Sequence, residues 1–118
     1  MTLILESLAI DCAEPQKLAT FWCAALGYQQ QDSNDPDEIS ITPANGQGQQ
    51  LLLLRVPDGK TVKNRLHLDL RPQDQAAEVE RLLKLGATRV DIGQGQPTWV
   101  VLADPEGNEF CVLRALTT

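Results

Sequence analysis

The sequence predicts an α+β fold of two tandem βαβββ modules that form a curved, cup-shaped mixed sheet with both helices outside. Three observations support this prediction. Segments with strand periodicity surround two segments with helical periodicity. The order strand, helix, three strands occurs twice, and the two halves match at a near-constant offset. We expect one domain, with module one over residues 1–56, a linker over 57–64 and module two over 65–118.

The first module is predicted to open with a strand over residues 3–11. Pro15 can begin the helix, because its missing N–H would have no partner there, and Gly27 supplies the left-handed residue that ends it. The apolar residues between them recur at helical spacing: Leu18, Phe21, Trp22, Ala25 and Leu26. Three strands are expected near residues 28–31, 38–42 and 49–56, with an Asn45-Gly46 turn before the last.

The second module repeats this order, beginning with a strand over residues 65–71. Its predicted helix has an apolar stripe of Ala76, Val79, Leu82 and Leu83, with Asp74 in the first turn and Gly86 at the end. The remaining strands are predicted near residues 88–91, 98–103 and 109–114. A turn over residues 104–107, sequence DPEG, separates the last two.

Three separate matches relate the halves. Residues 7–10 lie over 67–70 at an offset of about 60, and AALGY at 24–28 lies over LKLGA at 83–87 at about 59. Leu54-Arg55 lies over Leu113-Arg114 at the same shift. The sequence therefore predicts duplication of one supersecondary unit.

Composition narrows the class of protein. The chain has 42% hydrophobic and 22% charged residues and a net charge of -6, which predicts a globular protein that does not bind nucleic acid. No apolar run, including Leu51 to Leu54, approaches the roughly 20 residues that a helix needs to span a membrane. Three cysteines without CxxC spacing favour a cytoplasmic location.

Strand parity predicts which side chains face the cup. Leu66, Leu68 and Leu70 should face the helix, as should Phe110 and Val112 on the last strand. The side chains that should point inward are those of Arg65, His67, Asp69, Arg71, Glu109, Cys111 and Leu113. Arg65 and Arg71 are candidates to bind a carboxylate, or else charges at the rim in contact with water. Trp99, expected at the mouth of the cup, is a candidate to stack on a planar or cationic ligand, or else to pack at the rim or in a dimer.

The only histidine, His67, has three interpretations. It could bind a metal with Asp69 and Cys111, which share its face. Neighbouring inward residues on a strand lie roughly 7 Å apart, however, which argues against a shared ion. It could activate Cys111 as a thiolate. It could also be a polar lining residue that is hydrogen-bonded to Asp69, to Arg65 or to a backbone carbonyl.

Three segments, FWCAALGY, KTVKNRLHLDL and VVLADPEGNEFCVL, together with the doubled element order, resemble the glyoxalase/bleomycin-resistance group, or vicinal oxygen chelate superfamily. KTVKNRLHLDL resembles its small glyoxalase-like domain branch. The resemblance implies two metal-ligand positions on the first strands of the modules and two on the last strands. In this sequence these are Ser7, His67, a position near Leu52, and Cys111, of which only His67 is a usual ligand.

The resulting functional prediction is a small-molecule-binding glyoxalase-like protein without the usual metal site. The candidate lining residues are Ser7, Leu52, Arg65, His67, Asp69, Trp99 and Cys111. No cofactor is expected, and His67 is the candidate ligand if a divalent metal is bound. The resemblance also implies a homodimer. The two alternatives are a metal-dependent lyase or isomerase that uses His67, and a non-catalytic dimerisation module whose cup is filled by side chains.

Overall fold

The computed structural model describes residues 2–91 and 98–116. The chain divides into two compact units, Met1–Gly59 and Lys60–Thr118, and the division falls inside the segment that the sequence predicts as a linker. Each unit contains one helix and one four-stranded mixed sheet. The α+β class and the tandem βαβββ modules are therefore confirmed. The assignment of both modules to one domain, and the cup they would form together, stay predictions.

The first unit has its strands in the spatial order β1-β4-β3-β2. Strands β1 and β4 are parallel, and the other neighbours are antiparallel. Its elements are β1 (Leu8–Cys12), α1 (Pro15–Leu26), β2 (Tyr28–Gln30), β3 (Glu38–Pro43) and β4 (Leu51–Arg55).

The second unit repeats this arrangement in the order β5-β8-β7-β6, again with its first and last strands parallel. Its elements are β5 (Asp69–Leu70), α2 (Gln75–Leu85), β6 (Thr88–Arg89), β7 (Val100–Ala103) and β8 (Glu109–Val112). Neither described helix is long and apolar enough to cross a bilayer.

The helix ends lie where the sequence indicates. Helix α1 starts at Pro15 and ends before Gly27, which has a φ of 70° and donates its N–H to the carbonyl of Cys23. Asp74, predicted in the first turn of α2, is instead its N-cap and accepts a hydrogen bond from the N–H of Ala77 at 3.1 Å. Gly86 follows α2 with a φ of 123°.

Each unit has its own apolar core. Helix α1 packs against β3 and β4, and α2 packs against β8. Trp22 is buried and meets Phe21 edge to face, with 5.0 Å between ring centroids. The largest fully buried side chains are Leu18, Trp22, Ile41 and Leu53 in the first unit and Leu102, Phe110 and Val112 in the second.

The two predicted first strands are too long. Strand β1 begins only at Leu8, and the apolar residues before it are exposed, Leu3 by 99%. The strand expected over residues 65–71 is reduced to Asp69–Leu70, because the backbone bends at residues 65–66. Leu66 therefore does not face the helix as predicted but is 85% exposed. In α2, Ala76 is also exposed and not part of the buried stripe.

The DPEG turn is organised around the buried side chain of Asp104. Its Oδ1 accepts hydrogen bonds from the backbone N–H groups of Glu106 and Asn108, both at 2.9 Å. The side-chain amide of Asn108 donates to Oδ2 at 3.1 Å. Gly107 completes the turn with a φ of 87° and an N–H bond to the carbonyl of Asp104. A buried carboxylate thus fixes the connection from β7 to β8.

We expect Asp104→Ala to lower the free energy of unfolding by about 2–3 kcal/mol, because two part-buried backbone donors lose their buried carboxylate acceptor. Urea denaturation measures this change. Asp58→Ala, which removes an exposed carboxylate, serves as the control and should be close to neutral. Equal stability of the two variants would show that the Asp104 turn contributes nothing.

Candidate functional site

The candidate site lies on one face of the second sheet, where three strands bring side chains into register. Asp69 on β5 pairs with Cys111 on β8, which in turn pairs with Val101 on β7. Because paired residues on adjacent strands point to the same side, these three side chains form one row across the sheet. We call this side of the sheet, which carries Asp69, Val101 and Cys111, the open face.

A cavity of about 300 Å³ lies against the open face. Its lining combines charged, polar, aromatic and aliphatic side chains, all from the second unit. The lining residues are Lys63, His67, Asp69, Trp99, Val101, Glu109, Phe110, Cys111 and Leu113. Four of the predicted residues, His67, Asp69, Trp99 and Cys111, are therefore brought together at one cavity.

His67 and Asp69 are in direct contact. Nδ1 of His67 lies 2.9 Å from Oδ1 of Asp69, and the two side chains are 39% and 49% exposed. The predicted hydrogen bond between His67 and Asp69 is therefore confirmed. The expected separation of roughly 7 Å between neighbouring inward residues does not hold for these two side chains. His67 lies between the bend at residues 65–66 and the start of β5, so it is outside the regular strand and its side chain can contact that of Asp69.

Cys111 occupies the centre of the same row and is 8% exposed. Burial raises the pKa of its thiol, and the charge of Asp69 and a hydrogen bond from the thiol to Asp69 raise it further, against an opposing effect of Lys63. A raised pKa keeps the sulfur protonated at neutral pH. This opposes the hypothesis of an activated Cys111–His67 thiolate pair.

His67, Asp69 and Cys111 form a donor cluster. One potential ligand atom from each, a ring nitrogen, a carboxylate oxygen and the sulfur, lie within 4.8 Å of one another. Asp69 contacts both other members, since its carboxylate accepts from the imidazole and from the thiol. We refer to these three residues below as the donor cluster.

Glu109 is a charged residue of the cavity wall that binds two groups of the segment before β5. Its side chain is only 13% exposed and binds Lys60 Nζ at 2.9 Å and the backbone N–H of Asn64 at 2.9 Å. Burial alone would raise its pKa, but the hydrogen bonds from Asn64 and Lys60 outweigh this effect and lower it. Glu109 thereby ties residues 60–64, which include the lining residue Lys63, to strand β8.

The other predicted site residues are placed differently. Arg65 is exposed and is not among the residues that line the cavity. Ser7 and Leu52 belong to the first unit, where Leu52 pairs with Ala9 just as Cys111 pairs with Asp69. The first unit therefore carries serine, alanine and leucine where the second carries the donor cluster.

Several cavity residues were not among the candidate lining residues. Strand parity predicted Glu109 and Leu113 on the same side of β8 as Cys111, and both line the cavity, although neither was singled out as a candidate. Val101 has the same parity as Trp99, which immediately precedes β7. Lys63 lies in the segment before β5, where no periodicity indicates the direction of a side chain.

Two units with the same strand order, each with parallel first and last strands and one helix, define the fold class of the vicinal oxygen chelate proteins. The profile of the family described as "Glyoxalase-like domain" matches residues 7–113. The chain belongs to this glyoxalase-like domain family. No curated protein matches it.

Solved structures of the same fold are similar over nearly the whole chain. A glyoxalase/bleomycin resistance protein/dioxygenase family enzyme from Burkholderia phytofirmans has 17% identity and a TM-score of 0.74, with 97% of this chain and 100% of that chain covered. The hypothetical protein SA1046 from S. aureus has 16% identity and a TM-score of 0.72, with 98% and 96% covered.

A third structure of this fold contains a metal. The E126Q mutant of the fosfomycin resistance protein FosX from Listeria monocytogenes, complexed with Mn(II) and a dihydroxypropylphosphonic acid, has 16% identity and a TM-score of 0.72. The alignment covers 98% of this chain and 93% of that chain. At these identities the similarity establishes the fold.

The four ligand positions that the superfamily implies do not fit a hard divalent ion in this chain. Leu52 has no donor atom, Ser7 offers only a hydroxyl, and Cys111 offers a sulfur where oxygen or nitrogen ligands suit such ions. The donors that do converge, those of the donor cluster, include Asp69, which lies outside the four implied positions.

We expect Glu109→Gln to lower the free energy of unfolding by about 1–2 kcal/mol, since hydrogen bonds to a charged acceptor become bonds to a neutral one. The folded-state pKa of Glu109 is lowered, so this contribution is present above the ordinary glutamate pKa of about 4.3 and is lost as the pH falls below it. Urea unfolding at neutral and acidic pH measures both effects.

The control for this prediction is Glu80→Gln. Glu80 is 67% exposed and lies 3.9 Å from Arg89, so its loss should have little effect on stability. A Glu109→Gln variant that is no less stable than Glu80→Gln at neutral pH would contradict the role given to Glu109.

Proposed function

We propose that the chain binds a small organic molecule in the cavity of its second unit, independently of the four-ligand metal centre of its superfamily. The observation that carries this proposal is the cavity of about 300 Å³ on the open face. Pockets for small molecules have volumes of roughly 300–1,000 Å³, with mostly apolar walls and a few polar groups that orient the ligand. The cavity lies at the lower end of this range and suits a small ligand.

The lining supports a hydrophobic or cationic ligand. Val101, Phe110 and Leu113 supply apolar surface, and the 41% exposed indole of Trp99 is available to stack on a planar or cationic group. The half-exposed carboxylate of Asp69 provides a negative charge. The net charge of -6 favours the approach of cations over anions. A sequestering role of the kind suggested by the resistance proteins among the similar folds agrees with these features.

A metal-dependent lyase or isomerase reaction is the second candidate function. The convergence of the donor cluster within 4.8 Å favours it. This function requires an ion, whereas ligand binding at the apolar wall does not.

The third hypothesis, a module that only dimerises, predicts an interior filled by side chains, and the cavity counts against it.

Homodimerisation remains part of the proposal. Three consecutive apolar residues before β1 are highly exposed, Leu3, Ile4 and Leu5, and an exposed apolar group of this kind favours association with a second copy. A cytoplasmic location is supported by the three cysteines, which are thiols and not disulfide partners in the described part of the chain. Light scattering coupled to size exclusion measures the oligomeric state.

The ligand proposal predicts a thermal shift in a screen of small aromatic, aliphatic and cationic compounds. A ligand at about 100 times its Kd stabilises the folded state by about 2.7 kcal/mol, which raises the melting temperature measurably. Trp99→Ala should weaken binding of the identified compound, and Trp99→Phe should retain more of it because a ring is kept. Isothermal titration calorimetry measures the Kd of each variant.

The matched control is Val62→Ala, which changes an exposed apolar residue that is not part of the cavity lining. Its affinity should equal that of the unmodified chain. The proposal is overturned if no compound in the screen stabilises the protein, or if Trp99→Ala and Val62→Ala bind the identified compound equally well.

The second candidate is tested by metal analysis of protein purified without chelators, alongside assays for lyase and isomerase activity. It predicts a stoichiometric ion that is lost in His67→Ala, together with an activity that chelators abolish. Protein without an ion at any stoichiometry, and without activity after metal is added, would exclude this function.

A further inference from the structure

The donor cluster contains the three kinds of ligand atom that proteins offer to transition metals. His67 supplies an imidazole nitrogen, Asp69 a carboxylate oxygen and Cys111 a sulfur, all within 4.8 Å. Because the three ligand atoms are already this close, changes of side-chain conformation alone would let one ion contact all of them. Asp69 already holds the other two through its hydrogen bonds, so the donors converge before any ion arrives.

The first unit shows that the fold does not itself impose these residues. Ala9 pairs with Leu52 on parallel strands, as Asp69 pairs with Cys111, and Ser7 precedes Ala9 as His67 precedes Asp69. At these three positions the first unit has no strong metal ligand, whereas the second unit, with the same strand pairing, has three. The cluster is a property of this sequence.

We propose that His67, Asp69 and Cys111 bind one Zn²⁺-type ion, with Cys111 as a thiolate. Three protein ligands are the usual number for a zinc site that keeps a position open for water or another ligand. The adjoining cavity, of about 300 Å³, provides space for that additional ligand. On binding, the Cys111 sulfur forms a bond to the ion and its proton passes to solvent.

The donor types determine which ions are preferred. Thiolate and imidazole ligands favour zinc and similar borderline ions, whereas carboxylate, carbonyl and water suit magnesium, calcium and manganese. The chain should therefore prefer Zn²⁺ or Co²⁺ to Mn²⁺, in contrast to the Mn(II) present in the Listeria FosX complex. This inference goes beyond the proposed ligand binding, which requires no ion. It names the ion and the ligands that the second candidate function would use, but it does not require that activity.

Cobalt and zinc titrations of the reduced, full-length chain test the inference. Co²⁺ should bind with one equivalent per chain and give the near-ultraviolet charge-transfer absorption of a cobalt–thiolate bond. Zn²⁺ should displace it, and Mn²⁺ at the same concentration should not. Cys111→Ser should abolish the absorption, and His67→Gln and Asp69→Asn should each weaken binding by more than about 10–100-fold.

Cys23→Ser is the matched control, because it removes a different, half-buried thiol on α1 and should leave cobalt binding unchanged. A measurement on the unmodified chain avoids dependence on the folding of the variants. Bound Zn²⁺ should slow alkylation of Cys111 by iodoacetamide, as followed by peptide mass spectrometry, without slowing that of Cys23.

Three outcomes would overturn the inference. These are an absence of stoichiometric binding, cobalt–thiolate absorption that persists in Cys111→Ser, and binding of Mn²⁺ as tight as that of Zn²⁺. Repeating the small-molecule titration with chelator present separates this result from the proposed function. Ligand binding that survives chelation supports the proposed function whichever way the metal titration ends.

Discussion

The parallel pairing of the first and last strands in each unit is the constraint on which the remaining structure depends. It joins β1 to β4 and β5 to β8 although about 40 residues separate the partners along the chain. This pairing places one helix over each sheet and fixes which residues of neighbouring strands stand side by side. In the second unit a single register, Asp69 opposite Cys111, determines the composition of the candidate site.

Much of this arrangement could be predicted from the sequence because particular residues fix it locally. Pro15 and Gly27 determine the ends of α1, and Asp104 to Gly107 determine a turn whose backbone bonds converge on one carboxylate. The repeated offset of about 60 residues indicated the duplication, which the identical strand order of the two sheets bears out.

The predicted strand bounds were wrong where pairing with a strand distant in the sequence, and not the local apolar pattern, determines the structure. Leu66, Leu68 and Leu70 alternate as a strand should, yet pairing with β8 extends over only two residues of β5 and the chain bends before it. Alternating apolar residues indicate that a segment favours a β-strand conformation. They do not show over how many residues a neighbouring strand pairs with it. The hydrogen bond between His67 and Asp69 was predicted, but the same limit explains why these two side chains were expected to lie too far apart to share an ion and why Lys63 was not foreseen.

The shared use of Asp69 by an imidazole and a thiol has a consequence for selectivity. A ligand that binds the Asp69 carboxylate must break its hydrogen bonds with His67 and Cys111. The imidazole and the thiol then each need another hydrogen-bond partner or solvent. A weakly polar ligand cannot replace these hydrogen bonds, and it would bind against Val101 and Leu113 while the contacts of Asp69 with His67 and Cys111 stay intact. If the proposed ligand binding holds, only a strongly charged ligand would compete for the oxygen atoms of Asp69, and the site would discriminate between ligands by charge as well as by size.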